Sequence, residues 1–310
     1  MGRSGGGARS TVVVVTWRGR AHLAACLDAV AAQDRPHRML VVDNASADGS
    51  AELLATHPSR PEVLRLPRNL GYAGGMAAAL RRVGTPLMAW LNDDAAPETG
   101  WLAALEDALD ADEGAWAAAS VLRTPEGAVQ SAGVRLTANG RGADLTAPPA
   151  EREVFGFCGG AALLRRDRLR AVGGVPAGFF CYYEDTDTAW RLRLGGGRVV
   201  LAPGAEVVHL HGASTRPGSA RFHRWNERNR LLMLLRCAPA RVAARELARF
   251  AALTAVLPLR RLRGAPRPPA NFRLGLRLRV LAELAARAPA ALLARRPAPS
   301  RAEVWARWSR

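Results

Sequence analysis

The first ninety residues alternate between apolar, β-branched runs and segments with helical spacing. Residues 11–16 are typical of a strand that is buried on both faces. Leu23, Leu27 and Val30 then recur at the spacing of one helix face. Further strands are predicted at residues 39–42, 63–66 and 87–91, and a further helix at residues 73–83. This alternation predicts an α/β fold with a mostly parallel, doubly wound sheet.

Polar residues stand where the predicted strands end. Asp43 follows the second strand, residues 69–75 follow the third, and Asn92-Asp93-Asp94 follow the fourth. Ligands of such sheets bind beyond the carboxyl ends of the strands. Carboxylate oxygens at that edge are suitable ligands for a hard divalent cation such as Mg²⁺ or Mn²⁺. The pattern therefore predicts a ligand site there.

A second acidic cluster lies about ninety residues further along the chain. Glu184, Asp185 and Asp187 stand at the start of a predicted short helix. A carboxylate beyond a metal site can act as a general base, and the helix dipole is expected to favour its ionised form. Acidic residues are also common as turn and helix-cap residues. The order of the two clusters along the chain therefore carries more information than either cluster alone.

A dinucleotide-binding dehydrogenase would show the same alternation of strands and helices. It would need Gly-x-Gly-x-x-Gly directly after the first strand. That turn reads Thr16-Trp17-Arg18-Gly19-Arg20, and the chain has no P-loop motif. Dinucleotide-binding dehydrogenases and P-loop nucleotide-binding proteins are therefore both disfavoured.

Five motifs in order make the chain similar to family 2 glycosyltransferases of the GT-A fold, a group that includes many bacterial rhamnosyltransferases. The resemblance covers roughly residues 11–235. The motifs are Val41-Val42-Asp43-Asn44-Ala45-Ser46, Asn69-Leu70-Gly71-Tyr72-Ala73-Gly74-Gly75, Leu91-Asn92-Asp93-Asp94, Tyr183-Glu184-Asp185-Thr186-Asp187 and His209-Leu210-His211-Gly212-Ala213-Ser214. The resemblance implies a glycosyltransferase that takes its sugar from a nucleotide diphosphate donor, with dTDP-rhamnose or a UDP-sugar favoured. It also implies a cell-envelope glycan or a polyprenyl-linked acceptor.

The resemblance assigns the donor site to the strand ends. Asp43 would accept a hydrogen bond from N3–H of uracil or thymine, with the backbone of Thr16 and Trp17 beside the base. A glycine-rich loop at residues 69–75 would approach the nucleotide closely. The implied donor-binding residues are Thr16, Trp17, Asp43, Asn44, Asn69, Gly71, Gly74, Gly75, Asn92 and Asp93.

The resemblance also assigns the reaction. Asp94 and His209 would ligate the divalent cation, Mg²⁺ or Mn²⁺, with His211 as the alternative to His209. Asp185 would be the catalytic base, with Glu184 and Asp187 as alternatives. One base without an evident nucleophile implies a single displacement with inversion.

The chain departs from the family pattern at two positions. Asn92 stands where the metal motif often has its first Asp, and Ala77 stands where the glycine segment usually continues to Asn. A catalytically degenerate homologue that binds nucleotide sugar therefore remains an alternative.

The formal charge of +17 is concentrated in the last third of the chain. Residues 1–215 contain 22 Arg and 23 acidic residues, a net of −1, whereas residues 216–310 contain 22 Arg and 4 Glu, a net of +18. A basic polyanion-binding protein is a further alternative. The tail lacks the interleaved aromatic residues of a stacking platform, so no specific nucleic-acid partner is predicted.

The basic tail mixes leucines with arginines at helical spacing, which favours helices lying on an anionic membrane. Its most apolar stretch, residues 250–259, is about ten residues long and should be broken by Pro258; a membrane span needs ~20. We therefore expect a disordered N-terminus at residues 1–10, a GT-A domain at 11–215 and a basic helical appendage at 216–310. The four scattered cysteines and the absence of a signal-peptide pattern favour a cytoplasmic protein, peripheral on the inner face of the membrane.

Overall fold

A computed structural model describes residues 7–210, 218–262, 269–298 and 300–309, without the side chains of residues 260–262. The strands are β1 Ser10–Thr16, β2 His37–Asp43, β3 Glu62–Arg65, β4 Leu87–Asn92, β5 Ala95–Pro97, β6 Ala115–Arg123, β7 Val129–Ser131, β8 Val134–Leu136, β9 Gly142–Asp144, β10 Ala161–Arg165 and β11 Arg198–His209. The helices are α1 Arg20–Ala31, α2 Ser50–Thr56, α3 Gly71–Arg82, α4 Trp101–Asp110, α5 Arg166–Ala171, α6 Glu184–Leu194, α7 Ala220–Cys237, α8 Ala240–Leu262, α9 Leu274–Leu293 and α10 Arg301–Trp308.

Within these residues nine strands form one sheet. Its order is β3-β2-β1-β4-β10-β6-β11-β5, with β7 paired to β6. The first four strands of this order are parallel, and β6 and β11 are also parallel to each other. Strand β10 runs antiparallel between β4 and β6. The predicted α/β class and the mostly parallel sheet are therefore confirmed.

The β-branched first strand is the centre of the core. Every residue of β1 is buried, as its continuous apolar run predicts for a strand with both faces covered. On α1 the side chains at helical spacing are the buried ones, among them Leu23, Leu27 and Val30. This packing fixes the carboxyl end of β1, and with it the ends of β2 and β4.

Two element boundaries differ from the expectations. The glycine-rich segment forms the first turns of α3 and not a loop. The strand β1 begins at Ser10, and the guanidinium of Arg9 before it bonds to Asp110. The strand therefore starts at the last residue of the segment 1–10, whose disorder remains a prediction.

The chain divides into two compact units. The first contains the described residues 7–135 and 143–210, and the second contains the described residues 136–142, 218–262, 269–298 and 300–309. The second unit is mainly helical and is built on α7, α8 and α9. Its core includes Leu231, Met233, Phe250, Val280 and Leu284.

Pro258 does not break its helix, because α8 continues through it to Leu262. The expectation of a break at that position was therefore wrong. Across the described residues, no helix is both long enough and apolar enough to cross a membrane.

Candidate active site

The sheet brings the polar strand ends into one row. Thr16 lies beside Asp43 in the pairing of β1 with β2, and Val15 lies beside Asn92 in the pairing of β1 with β4. The backbone N–H of Asn92 donates to the carbonyl of Gly160, just before β10. Neighbouring strands lie ~4.8 Å apart, so the row from β2 to β10 is about 14 Å long.

Asp43 is held at the β2 end of this row. Its Oδ1 accepts a hydrogen bond of 2.8 Å from the backbone N–H of Ser46. Its Oδ2 is buried, accepts no hydrogen bond from the described part of the chain, and lies 3.6 Å from Nε of Arg65. A buried acceptor without a donor is costly. Oδ2 of Asp43 is therefore suited to a ligand that donates a hydrogen bond from an N–H group.

Asn44 and Asn69 hold the start of α3. The side chain of Asn44 is 1% exposed, donates to the carbonyl of Gly71 and accepts from the N–H of Leu70. Asn69 accepts a 2.7 Å bond from the N–H of Gly71. The direct donor contacts predicted for these two amides remain predictions, and both amides already have backbone partners.

The glycines of α3 allow other parts of the protein to pack closely against the start of this helix. Gly71 has a φ of +72°, and a Cβ there would lie 2.1 Å from the carbonyl oxygen of Phe180. A Cβ at Gly75 would lie 2.6 Å from Cγ1 of Val15, and one at Gly74 would lie 2.5 Å from Cβ of Leu70. Internal packing therefore requires these glycines whether or not a nucleotide also lies against them.

At the end of β1, Trp17 presents a ring that is 38% exposed, with the Arg18 guanidinium 5.1 Å from its centroid.

Asp93 packs against Gly19, where a Cβ would lie only 2.1 Å from Oδ2 of Asp93. Burial, aided by the charge of Asp94, raises the pKa of Asp93 to about 6 against the opposing hydrogen bond of Thr16.

Asp94, Asn92 and His209 form one cluster. The Oδ1 atom of Asp94 lies 3.2 Å from Nε2 of His209. The amide nitrogen of Asn92 lies 3.1 Å from the same Nε2. Burial alone would raise the pKa of Asp94, but the hydrogen bond and charge of His209 outweigh it and lower that pKa below its ordinary value. The sequence prediction that pairs Asp94 with His209 thus has a matching geometry, whereas His211 lies outside the described residues.

Gln130 on β7 completes this cluster, and sequence reasoning missed it. Its Oε1 lies 2.7 Å from Nδ1 of His209. A carbonyl oxygen can only accept, so Nδ1 carries a proton towards Gln130, and Nε2 is the ring nitrogen that faces Asp94 and Asn92. No motif marks Gln130, and only the pairing of β7 with β6 places it here.

This donor set suits a divalent cation that also binds phosphate. A carboxylate oxygen and an imidazole nitrogen 3.2 Å apart can share one ion. Within the described residues no three His, Cys, Asp or Glu side chains gather into a metal site. Mg²⁺ is commonly held by one or two protein ligands together with substrate phosphates, so the two side chains fit that kind of site.

Asp185 lies in the first turn of α6, beside the backbone of Gly159. Its Oδ2 accepts a 3.0 Å bond from the N–H of Gly159, and its Oδ1 accepts from the N–H and hydroxyl of Thr186. Burial nevertheless raises the pKa of Asp185 above its ordinary value. The N–H of Thr186 at this helix end lowers the pKa of Asp185, as expected, but burial outweighs it. The raised pKa makes this carboxylate a stronger base.

The two neighbouring carboxylates are in different environments. Asp187 is fully buried and pairs with Arg191, with Oδ1 2.7 Å from Nε. Burial, followed by the charge of Asp185, raises the pKa of Glu184 well above its ordinary value. Asp187 is thus held in an ion pair, and Glu184 is biased towards its neutral form.

Tyr72 links α3 to the candidate base. Its hydroxyl donates a 2.5 Å bond to the carbonyl of Gly159, the residue whose N–H binds Asp185. Its ring packs edge-on against Trp90, with centroids 6.2 Å apart. Tyr72 was visible within the glycine-rich motif, but its role depends on Gly159, which is far away in sequence.

The segment before α6 has an unusual backbone. Phe180, Tyr182 and Tyr183 have φ values of +67°, +72° and +68°. Bulky residues rarely adopt this region, and it costs of order 1–3 kcal/mol at each position. Such strain concentrates at functional sites, and here it directly precedes Glu184 and Asp185.

Sequence comparison identifies one family. The sequence profile of Glycosyl transferase family 2 matches residues 11–173. The N-acetylglucosaminyl-diphospho-decaprenol L-rhamnosyltransferase of Mycobacterium tuberculosis is 29% identical over 237 residues, which is 66% of this chain and 76% of that protein.

Two solved structures share the fold. The mannosyltransferase PcManGT from Pyrobaculum calidifontis, in complex with GDP-Man and Mn²⁺, aligns with a TM-score of 0.54 at 22% identity, over 98% of this chain and 75% of that one. GalNAc-T7 with UDP, GalNAc and Mn²⁺ aligns with a TM-score of 0.62 at 12% identity, over 93% of this chain and 58% of that one. At these identities the likeness shows the GT-A fold alone.

Proposed function

This chain belongs to glycosyl transferase family 2 and is a glycosyltransferase, and we propose that it moves one sugar, with inversion, from a nucleotide diphosphate donor to a glycan or polyprenyl-linked acceptor. The observation that supports this most strongly is the placement of two groups. Asp185 and the Asp94–His209 pair flank the same two backbone residues, Gly159 and Gly160. A Cβ at Gly160 would lie 3.5 Å from Cε1 of His209, and one at Gly159 would lie 3.3 Å from Cβ of Asp185.

The nucleotide would occupy the row of strand ends. Oδ2 of Asp43 would accept the N3–H of a uracil or thymine, which would satisfy an acceptor that has no hydrogen bond within the described residues. The exposed ring of Trp17 stands at the neighbouring strand end and could cover the base. The row then leads past β1 to the end of β4, about 10 Å from β2, where Asp94 would lie at the diphosphate.

Asp94 and His209 would hold the divalent cation, Mg²⁺ or Mn²⁺. A cation bound there supplies Lewis-acid stabilisation of the charge that develops on the departing diphosphate. Gln130 would accept the Nδ1 proton of His209, and the cation would bind Nε2 in place of the contact with the Asn92 amide.

Asp185 would act on the acceptor. Its carboxylate takes the proton of the attacking hydroxyl as the new bond to the anomeric carbon forms. The N–H groups of Gly159 and Thr186 fix the position of the carboxylate, and Tyr72 fixes Gly159. Asp187 is less suited to this role because Arg191 holds it.

The donor and acceptor are inferred from relatives. The mycobacterial relative is named for L-rhamnosyl transfer to N-acetylglucosaminyl-diphospho-decaprenol. We propose a related reaction here, with dTDP-rhamnose or a UDP-sugar as donor. The basic second unit would attach the enzyme to the inner face of an anionic membrane, where a polyprenyl-linked acceptor is located.

The proposal is tested by a panel of UDP-, dTDP- and GDP-sugars with purified protein. We expect one nucleotide class to raise the melting temperature in the presence of Mn²⁺, and release of the matching nucleoside diphosphate when acceptor is added. Release that needs neither a metal nor an acceptor would contradict the proposed reaction.

A degenerate homologue is the second candidate, and Asn92 is the observation that favours it. An amide replaces the first carboxylate of the metal motif and contacts Nε2 of His209. This candidate predicts tight, metal-dependent donor binding without turnover for any acceptor.

A further inference from the structure

The second half of α8 carries an exposed apolar face. Val256 is 41% exposed and Leu259 is 57% exposed. The other exposed residues on this part of the helix are also apolar, namely Ala251, Ala252, Ala255 and Pro258. We call Ala251, Ala252, Ala255, Val256 and Leu259 the α8 apolar face. Their spacing follows one side of a helix.

The opposite side of the same turns packs inside the second unit. Thr254 and Leu257 are buried. The guanidinium of Arg277 on α9 lies 3.8 Å from the ring centroid of Phe250, and its Nε donates a 2.9 Å bond to the hydroxyl of Thr254. The helix is thus fixed by α9, and the α8 apolar face is the side that α9 leaves exposed.

Arginines precede the face along the helix. Arg241, Arg245 and Arg249 are exposed at four-residue spacing in the first half of α8. The sequence places further arginines at 260, 261, 263 and 267, whose side chains lie outside the described residues. The exposed side of α8 therefore changes from basic to apolar along its length, and the chain is basic again afterwards.

Most acidic residues of this unit form ion pairs with its own arginines. Glu227 pairs with Arg141 and Arg230, and Glu246 pairs with Arg230 and Arg245. Glu283 pairs with Arg224, Arg228 and Arg279. Residues 216–310 carry a net charge of +18, so a second copy of the unit would be repelled. The charge instead complements an anionic surface.

We propose that the α8 apolar face inserts among the acyl chains of an anionic lipid monolayer while the arginines beside it bind the headgroups. This inference rests on the membrane attachment in the proposed function and locates its contact. It adds a hydrophobic component to that attachment. Electrostatic attraction is screened within about 3 Å at 1 M salt, whereas apolar insertion is not weakened by salt.

The test compares the full chain with the double variant Val256→Gln/Leu259→Gln, which removes apolar surface and leaves every charge in place. Sedimentation is measured with vesicles of phosphatidylcholine alone and with added phosphatidylglycerol, at ~0.1 M and ~1 M salt. We expect the wild type to remain partly bound to anionic vesicles at high salt. The double variant should bind at low salt with an affinity reduced at least about tenfold, and high salt should release it completely.

The matched control is Leu292→Gln/Leu293→Gln. These residues are 51% and 89% exposed at the far end of α9, about 22 Å along the helix from Arg277. The control should bind as the wild type does. Circular dichroism melting, and transfer to a short soluble acceptor, should be unchanged in both variants.

Three outcomes would overturn the inference. Equal salt resistance of the wild type and the α8 variant would place the insertion elsewhere, and complete release of the wild type by salt would make the attachment purely electrostatic. Concentration-dependent dimerisation that the α8 variant abolishes would make the face a contact between copies. Failure of the wild type to bind any vesicle would instead reject the membrane attachment in the proposed function, while transfer to a soluble acceptor tests the enzyme separately.

Discussion

At the scale of single residues, the most informative difference is between Asp185 and its two acidic neighbours. Asp187 is held by Arg191, and burial biases Glu184 towards its neutral form. Asp185 combines a raised pKa with backbone N–H groups that fix its position. A general base requires both properties, because the rate of proton transfer depends on its proton affinity and on its position relative to the proton.

We predict that Asp185→Asn abolishes transfer and leaves donor and metal binding nearly intact. The amide keeps the shape of the side chain but cannot accept the proton, so a loss of ~10²–10⁴-fold is expected. In the wild type the rate should fall as the pH falls through the raised pKa of Asp185, because protonation removes the base. Initial rates between pH 4 and 8, with donor binding measured by calorimetry, check both points. Turnover retained in the variant would move the role to Glu184.

We predict that Asp94→Ala weakens binding of Mn²⁺ and of the nucleoside diphosphate together. The carboxylate is one of two protein ligands proposed for the cation, so its loss should reduce both affinities at least about tenfold. Titration calorimetry with each ligand measures this. Wild-type activity that is unchanged by EDTA would show that the metal assignment of Asp94 and His209 is wrong.

Gln130 gives a prediction that depends on the tautomer of His209. Gln130→Leu removes the acceptor of the Nδ1 proton and should weaken Mn²⁺ binding by ~10–100-fold. Gln130→Glu is the matched control, because its carboxylate can accept the same proton, and binding should be retained. Calorimetric titration of the metal separates the two variants. Equal loss in both would mean that Gln130 acts only through packing.

At the scale of secondary structure elements, the glycines of α3 position the site. Gly71 accommodates the carbonyl of Phe180, which belongs to the strained segment before α6. Tyr72 of the same helix bonds to Gly159. The start of α3 therefore touches both the segment that leads to Asp185 and the backbone that holds it.

We predict that Gly71→Ala destabilises the protein by ~1–3 kcal/mol, because the residue has a positive φ and its Cβ would overlap the carbonyl of Phe180. It should also lower kcat by displacing the segment before Asp185. Gly84→Ala is the control, because a Cβ there meets no atom within 4 Å. Denaturant unfolding and initial rates measure both effects. Unchanged stability in Gly71→Ala would show that the Phe180 segment adapts without cost.

The apolar, β-branched runs predicted the first four strands, β1 to β4, and therefore the row that their carboxyl ends form, but they did not predict the later strands of the sheet. Asp43, Asn92 and Asp94 lie at the same edge of the sheet, as the general rule for parallel strands predicts. Gln130 could not be predicted, because it lies on a three-residue strand after a turn and no motif marks it. The raised pKa of Asp185 was missed because local sequence shows the helix end but not the burial around it.

At the scale of the whole molecule, the excess positive charge and the proposed active-site residues belong to different units of the chain. The described residues proposed for donor, metal and base all lie in the first unit, and the excess of arginine lies in the second. Many of those arginines stabilise the unit internally. Arg295 and Arg301, for example, donate to carbonyls at the end of α7. The basic composition of the tail is therefore partly structural, and the proposed membrane attachment would use only its exposed arginines.

The central claim is that this chain transfers a sugar from a nucleotide donor by a single displacement. Proton NMR of the reaction, with the donor selected by the nucleotide-sugar panel, Mn²⁺ and a soluble diphosphate-linked acceptor, tests it most directly. We predict a new glycosidic signal whose anomeric configuration is opposite to that of the donor, formed only with the metal present. A product with the donor's configuration would contradict the single displacement, and donor binding without any new signal would contradict the claim of transfer itself.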